Sequence, residues 1–182
     1  MDQKELRELE KKCIQEELAQ CEAACPIHLN AREFIRHVQN RAWNDAWKVL
    51  RKTMPLPGIL GRICDSPCRD KCLRKEIGGS VEIGALERAC VSMPAPKIIL
   101  PPIPKKEKHI AVFGSGLSCL TLCWDLGGKG YGITIFEPTD SLGGPLKNNP
   151  LLSPDIIREQ TSIFGKMGIT IRYNDPHLNQ KL

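Results

Sequence analysis

The sequence predicts two fold classes in one chain: an all-helical unit over residues 1–93, then a partial α/β unit of the βαβ (Rossmann-like) type over 109–182. Three observations predict this. The first 93 residues carry helical apolar spacing and capping signals. Residues 94–108, PAPKIILPPIPKKEK, hold five prolines and read as a semi-extended connector. After it comes KHIAVFGSG, an apolar run entering a glycine-rich turn, which is the order that opens a nucleotide-binding βαβ unit.

In the first unit, residues 2–20 read as a helix with Leu6, Leu9, Cys13 and Leu18 near one stripe, and the stretch from Cys21 to Pro26 breaks it. Asn30 offers an N-cap with Glu33 as capping-box partner, starting a helix with Phe34, Ile35 and Val38 on its apolar side. A second helix covers about 44–53 with Trp47 and Leu50 facing in, and Pro55, Pro57 and Gly58 end it. Residues 64–72 read as a loop with one helical turn. Gly78 and Gly79 make a turn, and Ser80 is placed to cap a helix from Glu82 to Cys90.

This unit is small and polar, and its cysteines supply what the core lacks. Cys13, Cys21 and Cys25, the last followed by Pro26, form one group; Cys64, Cys68 and Cys72 form another. The Cys-Pro step and two distant thiol groups favour iron–sulfur clusters. A structural zinc would need four ligands, and six thiols suit one zinc poorly. Disulfides would need an oxidising compartment. Cys90 and Cys123 read as buried thiols. Ligand assembly of this kind couples to folding.

Composition narrows the function. The chain has 182 residues, 41% hydrophobic and 26% charged, as in a water-soluble globular protein. No apolar run approaches a membrane span. The charged start, MDQKELRELEKK, is no signal peptide, so nine cysteines imply a reducing cytoplasm. The net charge of +5 gathers at Arg51, Lys52, Arg62, Arg69, Lys71, Arg74 and Lys75. With 5% aromatics and no recognition motif, a nucleic-acid partner is not expected. The charge reads as an offset for anionic thiolates, a docking face for an acidic electron-transfer partner, or a solvated surface.

In the second unit, strand 110–113 meets the turn, a helix follows, and strand 133–136 ends in Glu137. Gly114 allows the tight turn and Gly116 lets backbone approach a pyrophosphate, with the helix N-terminus behind it. Glu137, 21 positions after Gly116, stands where a carboxylate binds a ribose hydroxyl. Cys119 replaces the third glycine, so the helix is expected to sit further out. Ser153-Pro154-Asp155 starts a helix with Ile156, Ile163, Phe164 and Met167 buried, Gly168 ends it, and 169–173 form a third strand.

The order Cys, Cys, Cys-Pro, then GRICDSPCRDKC, VEIGALER, a proline-rich link and IAVFGSG…FEP…LGG resembles one family. It is similar to the N-terminal part of the glutamate synthase small subunit and the matching part of dihydropyrimidine dehydrogenase. The resemblance implies two [4Fe–4S] clusters in the helical unit and FAD in the next. One cluster would use Cys13, Cys21 and Cys72, with Glu16 where the family has a fourth cysteine. The other would use Cys25, Cys64 and Cys68, with Glu87 as a non-cysteine ligand. The FAD side would use Gly114, Ser115, Gly116, Glu137 and Gly144. Leu117, Ser118 and Cys119 depart from the family's Pro-Ala-Gly.

The expectation is an electron-transfer subunit of a multi-subunit cytoplasmic oxidoreductase, relaying electrons to or from a flavin or partner subunit. The alternatives are a truncated FAD- and NADPH-dependent oxidoreductase fragment, and a zinc-stabilised scaffold without redox chemistry.

Overall fold

A computed structural model describes residues 2–5, 8, 18–93 and 103–174. The expectations for Cys13, Glu16 and most of the helix over 2–20 lie outside the described residues. The chain divides into two compact units, Met1–Pro96 and Lys97–Leu182. Among the described residues, no helix is long and apolar enough to cross a membrane.

The first unit contains α1 (Gln20–Ala23), α2 (Ala31–Gln39), α3 (Trp43–Thr53), α4 (Pro57–Ile63) and α5 (Ile83–Ser92). Asn30 caps α2 as its sequence foretells: its side chain accepts from the Glu33 amide at 3.0 Å. The core gathers Leu29, Phe34, Trp47, Leu50, Met54, Ile83 and Cys90. Phe34, Leu50 and Cys90 are fully buried. Burying a Phe or Leu side chain is worth roughly 1.5–3 kcal/mol.

Three local expectations are corrected here. Cys21 lies inside the one-turn helix α1 rather than in a break. Pro57 does not only end the preceding helix; it opens α4 at the first turn, where its missing amide costs nothing. Leu56 before it takes φ 49° and is buried, so the sharp corner is held by packing against a local preference. Finally, α5 begins at Ile83 with Glu82 as its N-cap residue, and Ser80 does not cap it. The Ser80 hydroxyl instead donates to the Arg69 carbonyl at 2.8 Å.

The second unit contains β1 (His109–Phe113), α6 (Leu117–Gly127), β2 (Gly132–Glu137), α7 (Pro154–Thr161), α8 (Ile163–Lys166) and β3 (Thr170–Tyr173). The strands form a parallel sheet in the order β1-β2-β3. Chain order and sheet order coincide, so right-handed crossovers put both connections on the same face. That face buries Val112, Ile133 and Ile135. On the other face Phe113 stacks on Phe136 at 5.2 Å, and Arg172 lies over the Phe136 ring at 5.5 Å. Phe113 is 61% exposed. A small parallel sheet with helices of this arrangement fits a partial α/β domain.

The helix read from Ser153 is two helices. Ser153 caps α7, accepting from Ile156 at 3.4 Å. The Thr161 hydroxyl donates to the Ile157 carbonyl at 2.8 Å and the Ser162 hydroxyl to the Glu159 carbonyl at 2.6 Å. Such back-bonding loosens a helix where it occurs. The break shifts burial from Ile156 to Ile157, while Ile163 and Phe164 are buried as expected and Met167 is half-buried.

Candidate metal centre and glycine-rich turn

The cysteine-bearing segments meet at the edge of the first unit's core. Cys21, Cys25 and Cys68 pack against it, while Cys64 is exposed and Cys72 half-buried. None of the described cysteines is in a disulfide. Burial pushes the Cys68 thiol up to about 11, and Cys25, Cys64, Glu87 and Cys21 each add to the push. All four therefore lie near enough to oppose a negative charge on Cys68. Among the described residues, no three His, Cys, Asp or Glu side chains close around a point as a single ion would require.

Glu87 approaches this group from α5. It is 5% exposed, and burial pushes its carboxyl up to about 7, with the Arg88 charge opposing. Arg88 itself turns aside, donating to the Gly61 carbonyl at 3.0 Å. Gly61 packs against the Glu87 side chain at ordinary contact distance. A Cβ there would stand 3.4 Å from Glu87 Cβ and 3.5 Å from its Oε2. A dry carboxylate is costly unless paired or bound to metal. Its position close to Cys68 fits an iron–sulfur centre, whose irons take anionic donors.

Two sulfurs also accept backbone amides. Ser66 N–H donates to Cys64 Sγ at 3.4 Å, and Val81 N–H donates to Cys72 Sγ at 3.5 Å. Ser66 reaches this geometry with φ 56°, before Pro67. Donors of this kind stabilise thiolates and tune clusters. The sequence gives no sign of them, because a backbone amide has no residue signature.

In the second unit, Gly114 turns with φ 84°, and a Cβ there meets nothing within 4 Å. A Cβ at Gly116 meets only Pro145 Cδ, at 3.6 Å. Gly144, with φ 47°, comes so close that a Cβ would stand 3.2 Å from the Gly116 nitrogen. Cys119, in place of the third glycine, turns its thiol toward β1 and donates to the Phe113 carbonyl at 3.6 Å.

Glu137, expected at the ribose end of a dinucleotide site, is buried and hydrogen-bonded within the unit. It is 1% exposed. The Ser115 hydroxyl donates to its Oε2, while the Thr139 amide and hydroxyl donate to Oε1 at 3.2 and 2.7 Å. Ser115 Oγ in turn accepts from the Gly143 amide at 2.8 Å. This network ties the 143–144 loop to the turn. For FAD, the residues fit at the phosphate end, where backbone is open. At the ribose end the carboxylate is engaged inside the fold.

A thiol-rich helical unit with a buried carboxylate, followed by a glycine-turn βαβ unit, is the class of protein that the fold and site define. The family described as dihydropyrimidine dehydrogenase domain II, 4Fe-4S cluster, matches residues 1–97, and the chain belongs to it. Among its relatives, the NADPH-Fe(3+) oxidoreductase subunit beta of Geobacter sulfurreducens is 30% identical over 86% of this chain and 24% of its own length. The putative oxidoreductase UacF of Escherichia coli is 32% identical over 90% of this chain and 26% of its length. The glutamate synthase [NADPH] small chain of Bacillus subtilis is 31% identical over 81% of this chain and 31% of its length. The chain thus spans only about a quarter to a third of these curated relatives. The resemblance read from the cysteine motifs is to this same group.

Proposed function

We propose that this chain is an iron–sulfur electron-transfer subunit of a multi-subunit oxidoreductase. The observation that carries the proposal is the packing of Cys21, Cys25 and Cys68 against one core, with the buried Glu87 carboxylate close to Cys68. Relatives named as subunits of NADPH-Fe(3+) oxidoreductase and glutamate synthase support the subunit role.

Cys25, Cys64, Cys68 and Glu87 would hold one [4Fe–4S] cluster. Cys21 and Cys72, with Cys13, would serve a second. The cluster supplies one-electron storage. The chain's own part is to present anionic donors, keep water from Glu87 and aim amides at sulfur. Exposed Lys71, Arg74 and Lys75 beside the thiols suit docking of an acidic partner.

A second reading, a piece of a flavin- and NADPH-dependent oxidoreductase, is favoured by the open backbone at Gly114 and Gly116. There the glycine-rich turn would receive the FAD pyrophosphate, and Glu137 would hold the turn in shape.

Anaerobic purification with iron and sulfide analysis tests the proposal. About four irons and four sulfides per chain indicate one cubane, and about eight indicate two. A reduced-state electron paramagnetic resonance signal is expected. Zinc without sulfide, or folded protein without iron, would overturn the reading. FAD retained by the chain would support the second reading.

A further inference from the structure

Residues 80–82 reach back over the cysteine-rich turn. Gly78 and Gly79, with φ 134° and 109°, reverse the chain after the 3-10 helix Leu73–Ile77. The Ser80 hydroxyl then donates to the Arg69 carbonyl at 2.8 Å. The Glu82 carboxylate pairs with Arg69 Nη2 at 2.9 Å. Between these two anchors, Val81 N–H points at Cys72 Sγ, 3.5 Å away and part-buried. The Val81 side chain packs against the core, and the following peptide is tied separately, the Val81 carbonyl accepting from the Ile83 amide at 3.0 Å. Ser80 is therefore not a spare helix cap. Three consecutive residues hold one turn, and the middle one addresses a sulfur.

We propose that Ser80, Val81 and Glu82 form a clasp on the Arg69–Cys72 turn, in which the Val81 amide sets the potential of the iron–sulfur centre that Cys72 ligates. The inference rests on the proposed function above. Its physics is simple. Reduction adds negative charge to the cluster and its sulfurs. A fixed N–H dipole aimed at a ligand sulfur stabilises that charge more in the reduced form, and so raises the potential. Ser80 and Glu82 act as positioning residues. The Arg69–Glu82 pair is about half exposed on both sides, so it contributes little alone. Its use is to keep the Val81 peptide from rotating away.

The test uses the full chain, prepared without oxygen. Val81 is replaced by its α-hydroxy acid, which exchanges the amide N–H for an ester oxygen and keeps the side chain. Ser80→Ala and Ser80→Thr are made beside it. Midpoint potentials are read by redox titration followed by electron paramagnetic resonance, with iron and sulfide counted on the same samples. The ester is expected to shift one potential to a more negative value at unchanged iron content. Ser80→Ala should shift it the same way by less, and Ser80→Thr should restore it. Hydrogen exchange gives a readout independent of iron: the Val81 amide is protected in the wild type and exchanges faster in Ser80→Ala.

Potentials equal to wild type at equal iron content overturn the proposal. So does loss of iron from the variants with no change in the potential of what remains, which would make the clasp a structural tie only. If the ester chain does not fold, Ser80→Ala decides by the same criteria. Wild-type chain without iron refutes the functional reading itself, whereas iron-loaded chain with unmoved potentials refutes only the clasp.

Discussion

Glu87 gives the sharpest prediction, because burial and chemistry pull it in opposite directions. In the cluster-free chain its carboxyl is held at about 7 against an ordinary 4.5, with burial the leading cause. Holding it there costs about 3 kcal/mol between folded and unfolded states. The folded-state value is the raised one. Below about 4.5 both states are protonated and nothing changes. As pH rises from there to about 7, the unfolded chain releases its proton first, so stability falls, and beyond that it levels off. Glu87→Gln keeps the shape and removes the titration. The variant should therefore exceed the cluster-free wild type by about 3 kcal/mol at pH 8 and match it near pH 4. Urea midpoints at several pH values, with thiols kept reduced, read the difference. Iron content should move the other way: Glu87→Gln and Glu87→Ala lose the cluster that Cys25, Cys64 and Cys68 serve. Parallel pH profiles for wild type and Glu87→Gln would refute the dry-carboxylate argument. Unchanged iron and an unchanged spectrum in both variants would refute the ligand role.

The other predictions address the surroundings. Gly61→Ala puts a methyl at ordinary contact, 3.4 Å from Glu87 Cβ, so fold and iron content should both be kept; iron lost from that variant would show that Glu87 tolerates no displacement. Ser115→Ala leaves a buried Glu137 oxygen and the Gly143 amide without their partner, at a cost of about 2–3 kcal/mol in chemical denaturation; a loss below about 0.5 kcal/mol would dismiss the network as a support. Gly116→Ala meets only ordinary contact with Pro145, so the fold should persist, and any FAD in the assembled complex should be lost. FAD kept by that variant would assign the turn to packing. Asn30→Ala should cost about 1 kcal/mol through the α2 cap, read as a shifted urea midpoint.

The Asn30 and Ser153 caps, the turn at Gly78 and Gly79 and the β1-turn-α6-β2 order were all legible, because each depends on a few adjacent residues. The family was legible from cysteine spacing, and its model matches residues 1–97. Less was legible of the helix α4, whose opening proline looked like a terminator until the packing of Leu56 and Ile59 decided it. The same holds for Ser80, which had the spacing of a cap but found a carbonyl eleven positions back.

The sequence by itself determined the division into a helical and a βαβ unit, the thiol-rich character of the first and the glycine-turn entry to the second. Periodicity and spacing suffice for that, since they act within a turn or a strand. Only the tertiary structure decided what each polar group does there. Glu87 stands close to Cys68, buried on α5 and packed against Gly61 of α4. Glu137 turns inward because Ser115 and Thr139 satisfy it better than solvent does. Both outcomes depend on which distant segments a buried charge meets, and a buried charge accepts only partners that repay its lost hydration.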